Sequence, residues 1–334
     1  MDEHDDLSVP PPAGPPPLLS DEQLVSLARQ GWLCVDLPEA LSRTLKVLFN
    51  DSGKFLKLTS QVKTRLYPKK LGTEFGYYPV ENEKEYVTFR CHVHGGPKEV
   101  LGIDPLTAAS TGAPVGAQLE NNVAWAWREA AQYLFRILCD ISRASDLDFS
   151  VWDNILDGTL TMPGGEEEMT HTLMRLFRYF PSTGFAGQHS DLGLLTLCVA
   201  SGQGLQALDR VGSTRDTPAW VDAPVGPDKA MVLIGETLRA LSSNTVNTGV
   251  HRVVGNPEGR NSIVFALRHS NRHDIDFGLF GGEGVMTAQE LWKSVQVGKI
   301  NINSVKELRD KQRAKYDAER SKGQVSDTII NGQR

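Results

Sequence analysis

The chain has 334 residues, of which 40% are hydrophobic and 23% are charged, and these proportions exclude a collagen, a coiled coil and a chain that is disordered throughout. Its formal net charge of -6 gives no electrostatic footprint for nucleic acid or for an anionic membrane, so we expect neither as a partner. The length allows one large core in one or two domains and leaves the oligomeric state open.

The chain begins with an acidic, proline-rich segment. Acidic residues stand where a signal peptide is basic, and no later window reaches the roughly 18 apolar residues of a membrane helix, which predicts a cytoplasmic protein. The prolines within residues 1–19 predict a disordered arm, because proline lacks an N–H donor. The cysteines Cys34, Cys91, Cys139 and Cys198 form no CxxC pair, so we expect buried thiols in a reducing compartment.

Helical patterns dominate residues 20–150, which we interpret as an N-terminal helical or mixed region. Ser20 is followed by acidic residues and is typical of an N-cap. In chain order, the apolar spacing predicts a helix over 20–30, a strand over 31–36, a helix over 41–58, loops and short strands over 72–98, and a long helix over 117–147.

Short β-strands dominate residues 151–300. Turn residues separate apolar runs at 173–180, 194–200, 230–234 and 262–267, as expected for a sandwich or barrel of antiparallel strands. The fold class is therefore mainly β. After this core, Thr287 caps a predicted helix over 288–295, and residues 301–334 form a charged tail with a solvated helix over 303–322.

Three local motifs in the β region carry candidate chemistry. His189 and Asp191 precede an apolar run, and alternate residues of a strand share a face. Alone, such a pair is most often a surface pair or a capped turn. His251 lies on an apolar strand, where a lone histidine is usually part of the core. Arg260 and Ser262 begin another strand and share a face by the same rule.

Together these motifs describe a site. Two histidines and one carboxylate form a facial triad that leaves positions open on an octahedral ion, the arrangement of non-haem Fe(II) oxygenases. An arginine with a neighbouring hydroxyl can bind a remote carboxylate through charge-assisted hydrogen bonds.

The segment 174–270 resembles the Fe(II)/2-oxoglutarate-dependent dioxygenases of the isopenicillin N synthase-like group. The motifs that carry this resemblance occur in order along the chain: Tyr179-Phe180-Pro181, HSDLGLLTL at 189–197, Gly204-Leu205-Gln206, Ile234-Gly235-Glu236, His251-Arg252-Val253 and Arg260-Asn261-Ser262. The order and number of these motifs are far more specific than any one of them.

The resemblance implies a double-stranded β-helix (jelly roll) core with N-terminal and C-terminal flanking helices. It also implies that Fe(II) is bound by His189, Asp191 and His251, and that Arg260 and Ser262 hold the cosubstrate 2-oxoglutarate. With O₂, such an enzyme oxidises a small organic molecule by hydrogen abstraction, and 2-oxoglutarate is converted to succinate and CO₂.

Two positions depart from the group's pattern. Phe180 stands where many plant members have a tyrosine that contacts 2-oxoglutarate, so this contact is lost or comes from Tyr179. Glu236 replaces the usual aspartate after Gly235, which keeps a carboxylate in that turn.

The candidate substrate residues are Tyr78, Phe89 and Arg90, in the stretch that resembles the group's pocket wall, and Arg268. Alternation from Arg260 places Arg268 on the inward face, although an exposed charge at the strand end explains it equally well. An inward cation suits an acidic or phenolic substrate. The resemblance favours a fungal secondary-metabolism enzyme, with hydroxylation or ring rearrangement of a polyketide-derived aromatic.

Three alternatives stay open. A zinc hydrolase can use the same three ligands, but it gives Arg260 and Ser262 no role. An iron oxidase of the same fold that does not use 2-oxoglutarate is compatible with Phe180. A non-catalytic binding protein usually loses a ligand, and none is lost in this sequence. The role of the C-terminal helix is also open.

Overall fold

The computed structural model describes residues 14–70, 72–94, 115–214, 216–304 and 306–321. Most of the predicted arm (1–13), the end of the predicted loop region (95–98) and the last tail residues (322–334) lie outside these ranges. Within them, none of the helices combines the length and the apolar character needed to cross a bilayer.

The predicted elements of the N-terminal region occur in the predicted order, with ends shifted by a few residues, and a further helix over Ser60–Leu66 was not predicted. Ser20 forms a capping box with Gln23 at the start of the first helix. The elements are α1 (Asp21–Gln30), β1 (Trp32–Asp36), α2 (Glu39–Leu56), α3 (Ser60–Leu66), β2 (Gly76–Val80), β3 (Lys84–Phe89) and α4 (Val115–Ala144).

The end of the predicted arm is fixed against α4. The backbone N–H groups of Leu18 and Leu19 donate to the Asp140 carboxylate at 2.8 and 2.9 Å, and Arg143 Nη2 donates to the Pro15 carbonyl at 2.6 Å. The prediction of a disordered arm up to residue 19 is therefore wrong from residue 14 onward. Proline lacks a donor but keeps its carbonyl acceptor, which Arg143 uses here.

The remaining elements supply the β core and its C-terminal flank. A short helix, α5 (Asp153–Leu156), precedes it. The strands are β4 (Leu173–Tyr179), β5 (Ala186–His189), β6 (Leu195–Ala200), β7 (Leu205–Asp209), β8 (Ala219–Asp222), β9 (Lys229–Ile234), β10 (His251–Val253), β11 (Arg260–Leu267), β12 (Ile275–Asp276) and β13 (Val285–Met286); the helices are α6 (Glu236–Leu241), α7 (Ala288–Gln296) and α8 (Lys306–Ser321). Thr287 caps α7 as predicted.

Two antiparallel sheets form the core of the described chain. One has seven strands in the order β1-β9-β6-β11-β4-β3-β2, and the other has four in the order β5-β10-β7-β8. The sheets enclose one cluster of buried side chains, while helices α2 and α4 cover the outer face of the larger sheet. This arrangement confirms the predicted jelly roll with flanking helices.

Strand alternation separates the two faces of the larger sheet. On β11, Ile263 and Phe265 point toward the helices, where the ring of Phe265 meets that of Trp127 edge-on with centroids 5.2 Å apart. The alternate residues point between the sheets, and they are Arg260, Ser262 and Val264 of β11 and Arg175, Phe177 and Tyr179 of β4. The inner face therefore carries the polar chemistry and the outer face carries the helix-packing core.

The cysteines are free thiols, but they are not all buried. Cys91, Cys139 and Cys198 are buried, whereas Cys34 is exposed, which corrects the prediction for that residue. Cys34 lies on β1, which is an edge strand of the larger sheet among the described residues.

Candidate active site

Two histidines face each other across neighbouring strands of the smaller sheet. His189 ends β5 and His251 begins β10, where they are directly paired, and their ring centroids are 4.0 Å apart. His189 Nδ1 lies 2.7 Å from the Gly187 carbonyl and His251 Nδ1 lies 3.0 Å from the Gly249 carbonyl. A carbonyl only accepts, so each Nδ1 carries the proton and each Nε2 keeps a free lone pair, the form in which histidine binds a metal.

Asp191 completes the group. The strand ends at His189, so the predicted strand spacing does not extend to Asp191; instead the Glu236 N–H donates to the Asp191 carbonyl at 2.8 Å. Asp191 Oδ1 lies 3.9 Å from His189 Nε2, and its buried Oδ2 has no hydrogen-bond partner among the described residues. Ligand atoms of these three residues all lie within 4.8 Å of one another.

The protonation states of the group suit a divalent cation. Burial, followed by the neighbouring His251, lowers the pKa of His189 to about 3. Burial alone would raise the pKa of Asp191, but the positive charge that His251 and His189 carry when protonated outweighs it and holds that pKa below its ordinary value. At neutral pH His189 is therefore unprotonated and Asp191 is ionised, and these are the forms that ligate a metal. A cation would also give the buried Asp191 Oδ2 the partner that it otherwise lacks.

Arg260 is a buried cation that faces the same pocket. Its side chain is 5% exposed, and neither Nε nor Nη1 has a hydrogen-bond partner in the described part of the chain. Its guanidinium carbon lies 5.2 Å from the centroid of the Tyr179 ring. Burial lowers the pKa of Arg260, yet arginine stays charged in proteins. An unpaired buried guanidinium is costly, so the pocket is suited to an anionic ligand at this end.

Tyr179 and Ser262 lie beside Arg260 but differ in what they can offer. Tyr179 is paired with Arg260 across β4 and β11, and burial raises the pKa of its hydroxyl to about 12. It lines the pocket and Phe180 does not, in agreement with Tyr179 as the alternative contact. Ser262 Oγ donates to the Val199 carbonyl at 3.1 Å. Its hydrogen is therefore already engaged, and the hydroxyl is left to act mainly as an acceptor.

A buried lysine, Lys84, lies at the same end of the pocket. Lys84 Nζ donates to the carbonyls of Phe185 and Ile302 at 3.1 and 3.3 Å, and burial lowers its pKa to about 7. The Tyr86 hydroxyl donates to the Asn303 carbonyl at 3.2 Å. Ile302 and Asn303 line the pocket, so the segment before α8 closes part of the site.

The prediction of a purely solvated C-terminal helix is wrong for the start of α8. Arg309 is buried, and its Nη2 lies 2.5 Å from Glu83 Oε1 while its Nη1 lies 2.6 Å from the Ser304 carbonyl. This anchor holds the segment that crosses the pocket against the turn before β3.

The candidate substrate residues fall into different places. Tyr78 stacks on Tyr86 with ring centroids 5.1 Å apart and packs against the cluster between the sheets. Phe89 points the other way, into the helix-facing core, where it meets Tyr67 with centroids 4.9 Å apart. The prediction of Phe89 as a pocket residue is wrong, because alternation along β3 puts it on the outer face.

The two candidate arginines lie in one charged cluster. Arg90 donates to the carbonyls of Thr73 and Thr170 and is not among the residues that line the pocket. Arg268 is buried rather than exposed, and its Nη1 lies 2.8 Å from Glu74 Oε2. Arg175, which sequence analysis missed, lines the pocket and pairs with the same glutamate. Alternation from Tyr179 back along β4 would have identified it.

The turn after β9 supports the metal-ligand segment. Glu236 Oε1 accepts hydrogen bonds from Ser190 Oγ and Lys299 Nζ, both at 2.5 Å. A Cβ on Gly235 would lie 2.0 Å from the Gly193 carbonyl oxygen, so only glycine fits this close approach. The expected carboxylate of this turn is present, and it holds the residue between His189 and Asp191.

These side chains surround a pocket between the sheets, with about 460 Å³ free of protein atoms when the open solvent at its mouth is included. Its lining consists of Arg175, Phe177, Tyr179, Ala186, His189, Asp191, Cys198, Leu205, His251, Val253, Arg260, Ser262, Val264, Ile302 and Asn303. Apolar walls with a few converging polar groups are typical of small-molecule sites.

Comparison of sequences matches part of the chain to a known family model. Residues 171–269 match the model of the 2OG-Fe(II) oxygenase superfamily. Among curated proteins, oxidoreductase vrtI of Penicillium aethiopicum is 33% identical over 106 residues, which are 30% of this chain and 24% of that protein. The 2-oxoglutarate-dependent dioxygenase frbH of Dothideomycetidae sp. (strain 11243) is 32% identical over 93 residues, 27% of each chain. The chain thus spans about a quarter of the length of these relatives.

Comparisons of structure extend the likeness over most of the chain. A Neurospora crassa protein in complex with alpha-KG and 5-formyluracil has a TM-score of 0.62 at 19% identity, covering 82% of this chain and 88% of that chain. A 2OG-Fe(II) oxygenase family protein of Caulobacter crescentus has a TM-score of 0.61 at 20% identity, covering 82% and 91%. These likenesses show the shared fold, and the sequence matches support the 2OG-Fe(II) oxygenase superfamily.

Proposed function

We propose that this protein, whose residues 171–269 match the 2OG-Fe(II) oxygenase model, is an Fe(II)- and 2-oxoglutarate-dependent oxygenase of a small organic molecule. One observation carries the proposal. A His-Asp-His group with free ligand atoms and a buried arginine without an acidic partner among the described residues line the same pocket. The first suits a divalent metal, and the second suits the far carboxylate of the cosubstrate.

Different residues of the pocket would bind the metal and the cosubstrate. His189, Asp191 and His251 would hold Fe(II) and leave positions open on it. Arg260 would bind the far carboxylate of 2-oxoglutarate beside the Tyr179 ring. When bound, the metal with 2-oxoglutarate and O₂ supplies oxidation of a substrate C–H bond, while 2-oxoglutarate is converted to succinate and CO₂.

The C-terminal segment would exclude water from this chemistry. Ile302 and Asn303 form part of the wall, and their carbonyls accept hydrogen bonds from Lys84 and Tyr86 on the inner face of β3. A dry site strengthens electrostatic contacts and limits side reactions.

The alternatives lack an explanation for Arg260. A zinc hydrolase, a 2-oxoglutarate-independent iron oxidase and a non-catalytic binding protein could all use the same three ligands. None of them requires a buried guanidinium with no acidic partner in the described chain, 5% exposed and facing the metal ligands.

The proposal extends to the subfamily and the substrate class. We place the protein in the isopenicillin N synthase-like group, as a fungal secondary-metabolism enzyme that hydroxylates or rearranges a polyketide-derived aromatic. The Penicillium and Dothideomycetidae relatives support the fungal assignment. The apolar residues of the pocket suit an apolar ring. The cytoplasmic location remains a prediction of the sequence.

An anaerobic titration with Fe(II) and 2-oxoglutarate tests the proposal. The wild type should develop the weak visible charge-transfer band of a keto acid chelated to Fe(II), and His251→Ala should lose it. His273→Ala is the matched control. His273 Nε2 lies 2.8 Å from Asp157 Oδ2, and neither residue lines the pocket, so this variant should keep the band. Iron binding without the band would favour the 2-oxoglutarate-independent oxidase, and absence of iron binding would favour the hydrolase or the binding protein.

A further inference from the structure

Arg175 lies at the other end of the pocket from Arg260. It is on the inner face of β4, opposite Val264 of β11 and Thr88 of β3. Tyr179, four residues further along β4, is the partner of Arg260. Four strand residues span about 13 Å, so the two guanidinium-bearing ends are well separated.

Arg175 belongs to a cluster with an excess of positive charge. Arg175 Nη2 lies 2.6 Å from Glu74 Oε1, and Arg268 Nη1 lies 2.8 Å from Glu74 Oε2. Arg90 is close enough that Arg268 and Arg175, after burial, help to lower its pKa to about 10, while Glu74 opposes the shift. Three guanidinium groups thus surround the Glu74 carboxylate, and the Asp191 carboxylate also acts electrostatically on Arg175 and Arg268.

Donors in this cluster remain available. The hydrogen bonds that Arg175 forms with described residues, to Glu74 and to Thr88 Oγ1, use two of its five N–H groups. The Nε atoms of Arg90 and Arg268 are buried, and neither finds a partner in the described ranges. Buried donors without acceptors are unfavourable, and an anion that reached them would offset that cost.

The cosubstrate does not account for this end of the pocket. In the proposed function 2-oxoglutarate is held at one end by the metal ligands and at the other by Arg260. Arg175 is therefore left for a second ligand. Glu74 is 39% exposed and has a left-handed backbone conformation, with φ of 61°, which is strained for a non-glycine residue. Because the Glu74 side chain is partly exposed, solvent screens its ion pairs, and a ligand carboxylate could compete with it for Arg175.

We propose that the substrate carries a carboxylate and that Arg175, supported by Arg268, binds it and determines specificity. This inference rests on the proposed function and adds the chemical class of its substrate. A structural role for the Arg175–Glu74–Arg268 group is the competing explanation. It predicts that loss of Arg175 lowers stability without changing which ligands bind.

A panel of acids and their uncharged amides separates the two explanations. The probes are phenylacetate and phenylacetamide, cinnamate and cinnamamide, and octanoate and octanamide, added anaerobically to protein loaded with Fe(II) and 2-oxoglutarate. Affinity is measured both by the change in the visible band and by the shift in the thermal midpoint. We expect the best acid to bind about tenfold more tightly than its amide, the size of one charged hydrogen bond.

The variants assign that preference to a residue. Arg175→Met should remove it, and Arg175→Lys should restore part of it. Arg178→Met is the matched control, because Arg178 is on the same strand, pairs with Glu85 and is not part of the pocket lining. It should keep the full preference.

A second variant guards against misfolding of Arg175→Met. Glu74→Gln removes the competing carboxylate and should raise the affinity for the acids. The inference is overturned if no acid binds better than its amide, if Arg175→Met keeps the preference, or if Glu74→Gln weakens acid binding. Absence of the visible band in the wild type would instead contradict the proposed function, while the thermal midpoints would still report any acid preference.

Discussion

The two ends of the pocket both present arginine, but only one of these arginines has an acidic partner in the described structure. At one end Arg260 is buried and its Nε and Nη1 bond to no described residue. At the other end Arg175 pairs with Glu74, which Arg268 also contacts. A lone buried cation suits one fixed anionic ligand. A cation that already has a partly exposed partner suits a ligand that competes and exchanges.

Under the two proposals above, this difference would allow the cosubstrate and the substrate to bind at separate ends of one pocket. A ligand at the Arg260 end that also chelates the metal would gain from both contacts, as proposed for 2-oxoglutarate. A ligand at the Arg175 end must compete with Glu74. Substitutions at either end, or at the metal ligands, should therefore have different effects.

The largest loss of turnover is expected from a change in the His189, Asp191 and His251 group, which lies in the same pocket as the two arginines. Asp191→Ala should abolish turnover, because it removes the carboxylate ligand, and metal binding should fall with it. Succinate release and bound iron, measured on the same sample, check this. Asp157→Ala is the control, since Asp157 pairs with His273 outside the pocket. Wild-type turnover in Asp191→Ala would contradict the assignment of the metal centre.

The next effect concerns the cosubstrate. Arg260→Met should raise the 2-oxoglutarate concentration needed for half-maximal turnover by about 100-fold, the cost of losing one partner of a buried charge pair. A titration of succinate release against 2-oxoglutarate measures it. An unchanged 2-oxoglutarate requirement would remove Arg260 from the cosubstrate site.

The ion pairs of Glu74 at the Arg175 end of the pocket should make the free energy of unfolding depend on pH. Burial would raise the pKa of Glu74, but Arg268 and Arg175 outweigh it and hold that pKa well below its usual range. A depressed carboxyl pKa stabilises the fold above the unfolded value, about 4.3, and this contribution is lost as the pH falls.

Urea unfolding of wild type and Glu74→Gln compares the two free energies of unfolding. At pH 7 the variant should be less stable by about 1 kcal/mol, a modest value because Glu74 is partly exposed. The gap should narrow below about pH 4.3, where the unfolded chain's Glu74 becomes protonated. A gap that is the same at pH 7 and pH 4 would show that the carboxylate charge does not stabilise this end.

The smallest effect is expected from Ser262. Its hydroxyl hydrogen is engaged by the Val199 carbonyl, so Ser262→Ala should raise the 2-oxoglutarate requirement only about threefold. A loss as large as that of Arg260→Met would show that Ser262 turns its donor toward the cosubstrate.

The sequence was sufficient to identify those site residues that stand in short, recognisable motifs. His189, Asp191, His251 and Arg260 stand in short motifs, and the structure brings them into one pocket. The apolar runs and turn residues predicted where β4, β6, β9 and β11 lie along the chain, but not their order in the sheet. Phe89 was misplaced because the stretch was treated as a whole, although alternate residues of a strand face opposite sides.

Other parts of the site depend on tertiary contacts that no local pattern reports. Lysine is rarely buried, so nothing in the sequence distinguishes Lys84 from an exposed lysine. Glu74 reaches Arg175 and Arg268 across about 100 and 200 residues of chain. Ile302 lies in the wall of the pocket, where its carbonyl accepts hydrogen bonds from Lys84 and Arg309.

Arg260→Met and Arg175→Met, compared in one binding experiment, test most directly whether the pocket has two separate anion-binding ends. Calorimetric titration of each Fe(II)-loaded variant with 2-oxoglutarate, and then with the best acid of the panel, gives two affinities per protein. We expect Arg260→Met to weaken 2-oxoglutarate binding far more than Arg175→Met does, and the order to be reversed for the acid. Equal losses of both ligands in both variants would show that the two ends do not act separately.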